Sequence, residues 1–195
     1  MVDAISGSAQ MNVLTVVGSP RINGNTEILA SKITEGARAG GADVHTAHLG
    51  PLTIRECDGC QACWRGRPCT KDDDMRPLYP KIAAADLLVF ATPVYWYGPT
   101  ALMKAFIDRF VYFNGDQHRP EIRGKKALVA LVLEEDDPAT WQPVLEFFYK
   151  CFEYLEITPA GAIVVPGVGP RGAILEKPDR LEEAFEFGQS AALAP

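Results

Sequence analysis

The sequence predicts an α/β fold, a doubly wound parallel sheet with helices on both faces. Three observations lead there. Short apolar runs that read as strands alternate with longer segments of helical periodicity from Val13 to Ala192. The strand runs are apolar almost throughout, as expected of strands covered on both faces. No long linker interrupts the alternation, so residues 11–195 are expected to form one domain, and a 47% hydrophobic composition is ample for a layered core. The first ten residues, MVDAISGSAQ, have neither a basic start nor an apolar core and read as a disordered leader.

The first strand, carrying Leu14, Val16 and Val17, breaks into a loop punctuated by Gly18, Pro20, Asn23 and Gly24. Asn25 or Thr26 can cap the helix that follows, about Thr26 to Ala39, in which Ile28, Leu29, Ile33 and Ala37 share a side. Gly40-Gly41 stops it, and Val44 to Leu49 makes a second strand. Residues 50–74 form a cysteine- and charge-rich connection, Met75 to Ala84 a short helix, and Leu87 to Ala91 a third strand. Leu102, Met103, Phe106, Ile107, Phe110 and Val111 then recur at helical spacing, with Lys104 and Asp108 as an i,i+4 pair on the polar face. Ala127 to Leu133 is the fourth strand, Thr140 to Tyr154 an aromatic-rich helix, Ala162 to Val165 the fifth strand and Pro178 to Ala192 the closing helix.

The first loop is the most informative for function. Amide groups at a helix start, with the hydroxyls of Ser19 and Thr26 and the guanidinium of Arg21, suit a phosphate. Gly18 and Gly24 are separated by five residues and followed by Asn25-Thr26, so the lysine of a nucleotide-triphosphate loop is missing. The dinucleotide fingerprint is missing too, and no cysteine precedes Arg21 as a phosphatase nucleophile would require. A terminal phosphate monoester is the simplest ligand, with an ordinary capped turn as the alternative.

Ligands of such sheets bind beyond the carboxyl ends of the strands. The third strand ends in Thr92-Pro93-Val94-Tyr95-Trp96-Tyr97-Gly98-Pro99, where three adjacent aromatics could flank a planar ligand, or else pack on neighbouring helices or a partner subunit. Cradle and aromatic shelf together suggest FMN.

A net charge of -6 without a basic run argues against nucleic acid, and no apolar stretch approaches a membrane span. A cytoplasmic location is expected, in which five cysteines are reduced thiols or ligands. Cys57, Cys60, Cys63 and Cys69 are spaced C-x2-C-x2-C-x5-C, which can wrap one iron-sulfur cubane compactly, whereas structural zinc more often joins two separated knuckles. Cys151 falls in an apolar-rich helix and reads as core. His45, His48 and His118 are scattered, with no catalytic dyad or metal triad. Gly167 to Gly172 spells G-x-G-x-x-G, but Pro170 interrupts the turn and 23 residues are too few for the rest of a dinucleotide unit, so a surface loop near the substrate mouth is expected.

On the segments GSPRINGNT, CDGCQACWRGRPCTKDDDM and ADLLVFATPVYWYGPTALMKAFIDR, the chain resembles the flavodoxin-like NAD(P)H-dependent FMN reductases and quinone reductases, and among them the iron-sulfur flavoproteins. The resemblance implies a five-stranded sheet of order 2-1-3-4-5 and noncovalent FMN. By it, Ser19, Arg21, Asn25 and Thr26 would hold the phosphate, and Pro93, Val94, Tyr95, Trp96, Tyr97 and Gly98 would border the isoalloxazine. It also implies a homodimer or homotetramer, with Phe110, Tyr112 and Phe113 as a contact surface. The expected activity is an oxidoreductase in which NAD(P)H reduces FMN and a small molecule, such as a quinone, flavin or nitroaromatic, takes the electrons. No side chain is expected to act as nucleophile, since the flavin carries the chemistry. A flavodoxin-type or iron-sulfur flavoprotein electron carrier is the alternative, and an interaction protein without flavin a third class. The cysteine loop resembles that of the iron-sulfur flavoproteins, implying a [4Fe-4S] cluster, and equally that of family members with FMN alone. Glu134, Glu135, Asp136 and Asp137 depart from the small-residue third flavin loop of the family, and a solvated acidic tip is expected there.

Overall fold

The computed structural model describes residues 10–193, so the expected leader, apart from Gln10, lies outside the described residues. Every expected strand and helix is present: β1 (Asn12–Val17), α1 (Asn25–Ala39), β2 (Asp43–His48), α2 (Leu78–Ala84), β3 (Leu87–Tyr95), β4 (Gly98–Pro99), α3 (Ala101–Asp108), β5 (Lys126–Val132), α4 (Pro138–Leu155), β6 (Thr158–Val165) and α5 (Pro178–Leu193). The parallel strands lie in the order β2-β1-β3-β5-β6, the predicted 2-1-3-4-5 when the added β4 is left out of the numbering.

The sixth strand is the principal correction. β3 runs four residues past Ala91, and β4 turns back against it, pairing Val94 with Pro99 and Tyr95 with Gly98. The turn residues Trp96 and Tyr97 have φ of 49° and 59°, the pair of positive values that a two-residue hairpin connection requires. Bulky residues take that conformation at a cost, which glycine would avoid. β6 also begins earlier than Ala162 because Gly161, at φ 136°, lies in a register irregularity opposite Leu128 and lets Thr158 and Pro159 join the ladder. Two helices are shorter than their patterns suggest. Met75 to Pro77 form turns before α2, and beyond Asp108 the α3 pattern tightens into a 3-10 segment over Arg109–Asn114.

The sheet is buried on both faces. On one, Leu14, Val16 and Phe90 meet Phe106, Phe110, Phe148 and Phe152. On the other, Val13, Val17, Val89 and Leu128 meet Leu29 and Ile33 of α1 and Ala184 of α5. Helices α1 and α5 approach closely enough to exclude a β-carbon: one added to Gly36 would lie 1.9 Å from Phe185 O, and one on Gly188 2.0 Å from Ile33 O. The expected contact surface at Phe110, Tyr112 and Phe113 is not one. Phe110 and Phe113 belong to the core, and Tyr112 stacks between Tyr79 and His118 at centroid distances of 4.1 and 3.8 Å. Among the described residues no helix is long and apolar enough to cross a membrane.

Candidate functional site

β1, β3 and β5 end side by side, so the loops after them converge on one edge. The first loop is clamped to β3 by Gly18 N–H, which donates to Ala91 O at 2.8 Å, and to the start of α3 by Thr100 Oγ1, which donates to Gly18 O at 2.5 Å. Gly24, in extended backbone, precedes α1 without any side-chain cap, so the expected cap by Asn25 or Thr26 is absent and both lie inside the helix. The amides of its first turn therefore stay available to an anion.

A cavity of about 130 Å³ opens at this point, lined in part by Ser19, Arg21, Asn25, Thr26, Pro93, Val94 and Tyr95. Ser19 and Thr26 are buried, and Ser19 Oγ accepts from Arg21 N–H at 3.1 Å. Seven of the ten expected FMN residues thus share one wall. Trp96, Tyr97 and Gly98 fall outside its lining, and the Trp96 ring is 96% exposed at the tip of the β3–β4 turn.

The loop over Gly167 to Gly172 covers the other side of the cavity. Asn25 Nδ2 donates to Val168 O at 2.7 Å and to Pro170 O at 2.8 Å, while its Oδ1 accepts from Ile174 N–H at 3.4 Å. Arg21 Nη1 donates to Gly169 O at 3.1 Å. Asn25 therefore straps two loops together, a role its position in the sequence does not disclose.

The acidic run divides by function. Asp137 caps α4 by accepting from Ala139 N–H at 2.9 Å, and Glu135 accepts from Thr140 Oγ1 at 2.7 Å. Glu134 instead lines the cavity, its side chain lying over Gly169 so closely that a β-carbon there would be 2.6 Å from Glu134 Cδ. Glu134 is nevertheless exposed, as are Glu135, Asp136 and Asp137, in keeping with the expected solvated tip.

The four spaced cysteines, Cys57, Cys60, Cys63 and Cys69, line a second, separate chamber of about 120 Å³. Cys63 is buried, Cys57 and Cys69 are half-buried and Cys60 is exposed, and burial pushes the Cys63 thiol above its ordinary value. Arg109, invisible to motif reasoning, is the key support: only 1% exposed, it places Nη1 2.6 Å from Asp73 Oδ2 and 3.0 Å from Arg55 O, and Nη2 3.2 Å from Cys69 Sγ. Burial is the largest single influence and opposes both charges, but Asp73, Tyr79 and Cys69 together raise Arg109, and the bonds from Arg109 and the Arg55 and Met75 amides hold Asp73 below the usual carboxylate range. The sequence signal was an arginine on the apolar stripe between Phe106 and Phe113, downstream of three aspartates. Trp64 Nε1 donates to Val111 O at 2.9 Å and fixes the loop to the same segment. Among the described residues no three histidine, cysteine or acidic side chains are arranged to hold a single metal ion.

Residues 11–137 match the family model described as NADPH-dependent FMN reductase. An iron-sulfur flavoprotein of Archaeoglobus fulgidus is 33% identical over 115 residues, 59% of this chain and 51% of that protein. Another, from Methanosarcina thermophila, is 35% identical over 52% of this chain and 53% of its own, so the matched region spans about half the length of these relatives. YwqN of Bacillus subtilis, named as an NAD(P)H-dependent FMN-containing oxidoreductase, is 27% identical over 89% of this chain and 94% of its own. The solved NAD(P)H:quinone oxidoreductase of Methanothermobacter marburgensis superposes with a TM-score of 0.76 over 94% of this chain and 96% of its own, and at 18% identity that likeness concerns the fold. Matched over residues 11–137, which run from β1 through β5, the chain belongs to the NADPH-dependent FMN reductase family.

Proposed function

We propose that this chain is an FMN-dependent NAD(P)H oxidoreductase acting on a small-molecule acceptor such as a quinone, flavin or nitroaromatic. The observation that carries the reading is the shared wall of the phosphate cradle and the β3 terminus. An uncapped helix start, two buried hydroxyls and one arginine fit a phosphate monoester. At about 130 Å³ the cavity is smaller than complete small-molecule sites, about 300–1,000 Å³, so it suits the phosphate end while the ring system extends toward the exposed aromatic turn. FMN, when bound, supplies hydride acceptance and onward electron transfer.

Within that scheme Ser19, Thr26 and Arg21 bind the phosphate, Asn25 holds the covering loop, and Pro93 to Tyr95 set the edge along which the ring lies. Tyr95, Trp96 and Tyr97 are exposed and offer a surface that a second copy of the chain would close, in keeping with a dimer or tetramer. Anaerobic mixing of the FMN-loaded protein with NADH or NADPH tests the activity. Rapid bleaching of the flavin absorbance is expected, and a flavin that neither nucleotide reduces would favour an electron carrier.

A second reading concerns the cysteine chamber. All four thiols line one space, which favours a [4Fe-4S] cluster as an additional cofactor, with Cys57, Cys60, Cys63 and Cys69 as ligands and Arg109 holding Cys69 in place.

A further inference from the structure

A third cavity, of about 760 Å³, lies beside the cysteine chamber and has no lining residue in common with the phosphate cradle. Its size falls within the range of small-molecule sites, about 300–1,000 Å³. One side is the end of the cysteine loop, Gly66 to Lys71, and the other is formed by Tyr112, Gln117 and His118, with Arg76 and Tyr79 between them.

The charge of this cavity opposes that of the chain. Arg67, Lys71 and Arg76 line it and no carboxylate does, although the protein as a whole carries a net charge of -6. The carboxylates that face these groups stand outside the lining: Asp58 is 3.0 Å from Lys71, Asp72 is 3.1 Å from Arg76, and Glu121 is 2.8 Å from His118 Nδ1. Among the described residues the Arg67 guanidinium has no hydrogen bond or ion pair. Holding one unpaired arginine and two exchangeable cations together repays itself when an anion with several oxygens arrives, because guanidinium groups bind phosphate in a bidentate manner.

The same cavity offers aromatic surface. Tyr79, Tyr112 and His118 stack in series, with the planes of each neighbouring pair 24° apart, so that Tyr112 is covered on both faces and His118 ends the stack. Cations at one part of a cavity and stacked rings at another are complementary to a molecule with an anionic end and a planar body. We infer that this cavity binds a phosphorylated aromatic molecule of nucleotide size, with Arg67 and Arg76 on the phosphate and the ring against His118, the end of the stack, whose outer face carries no other ring among the described residues. Because Cys69 and Lys71 line both this cavity and the cysteine chamber, such a ligand would also hold the cysteine loop against the segment after α3.

The test is equilibrium binding of AMP, adenosine and inorganic phosphate to the full chain saturated with FMN, so that the phosphate cradle is filled. One AMP per chain is expected, with adenosine and phosphate each at least tenfold weaker. Arg67→Gln and Arg76→Gln should each weaken AMP about tenfold and leave FMN affinity, read by flavin fluorescence, unchanged. Sedimentation of the wild type and Arg67→Glu reports whether a second copy covers this face instead. Absence of saturable AMP binding at millimolar concentration, equal AMP affinity in wild type and both glutamine variants, or an oligomer that Arg67→Glu dissociates, would each overturn the assignment.

Discussion

Arg109 and Asp73 form a buried ion pair, Nη1 to Oδ2 at 2.6 Å, with both side chains 2% exposed or less. The pair closes the cysteine loop onto the segment after α3, since Asp73 also accepts from Arg55 N–H at 3.1 Å and Arg109 reaches Cys69. Removing one partner strands the other charge, at a cost of about 3–5 kcal/mol. Arg109→Met should therefore lower the stability measured by urea unfolding by that amount, and Asp73→Asn in the same chain should recover part of it.

The pair also fixes an acid sensitivity. Although burial raises Asp73, bonds from Arg109 and from the Arg55 and Met75 amides hold its folded pKa below that of the unfolded chain. Its stabilising contribution is then complete above the unfolded value, about 4, and is lost as pH falls through the folded one. Thermal midpoints measured from pH 6 downward should drop more steeply in the wild type than in Asp73→Asn. Parallel curves would assign the acid sensitivity to other carboxylates.

Gly36→Ala gives a test of the helix contact. Alanine is the better helix former by about 1 kcal/mol, yet here its β-carbon would stand 1.9 Å from Phe185 O, so α1 and α5 must part. A net destabilisation of about 1–3 kcal/mol is expected in urea unfolding, as for other overpacked sites.

Much of this was legible in the sequence. The parallel sheet, the helix succession and the first loop follow from apolar runs and turn residues whose period is local, whereas the strand order came from the family resemblance. The β3–β4 hairpin was not legible, because Trp96 and Tyr97 adopt the positive φ that sequence patterns assign to glycine or asparagine. Asn25 looked like a phosphate ligand or cap, and its bonds to residues 168 and 170 depend on a loop more than 140 positions away. Arg109 reads as a charge on an apolar stripe until the fold brings Asp73 and Cys69 to it. Glu134 was hidden among three acidic neighbours, two of which serve the start of α4.

Glu134 and Glu135 can be separated by their effect on bound FMN. Glu134 lines the cradle and Glu135 is held by Thr140, so only Glu134→Gln should change the flavin potential. Loss of a nearby negative charge should raise the two-electron potential by about 20–40 mV, the equivalent of ~1–2 kcal/mol. Equal values for Glu134→Gln and the wild type in a dye-equilibrium titration would place that carboxylate away from the ring.

Iron and sulfide analysis decides the cysteine chamber. If the chamber holds a cluster, anaerobic, iron-replete protein should contain about four of each per chain, and Cys60→Ala should lose both while keeping FMN. Four freely titrating thiols in such a preparation would leave a flavin-only protein.

The most direct measurement is a fluorescence titration of the wild type and Arg21→Ala with FMN and with riboflavin, which lacks the phosphate. A charge-assisted bond to phosphate is worth about 1.5–3 kcal/mol, so Arg21→Ala should weaken FMN roughly 10- to 100-fold and leave riboflavin nearly unchanged. Equal losses for the two ligands, or no FMN binding by the wild type, would contradict the assignment of the first loop as the cofactor's phosphate site.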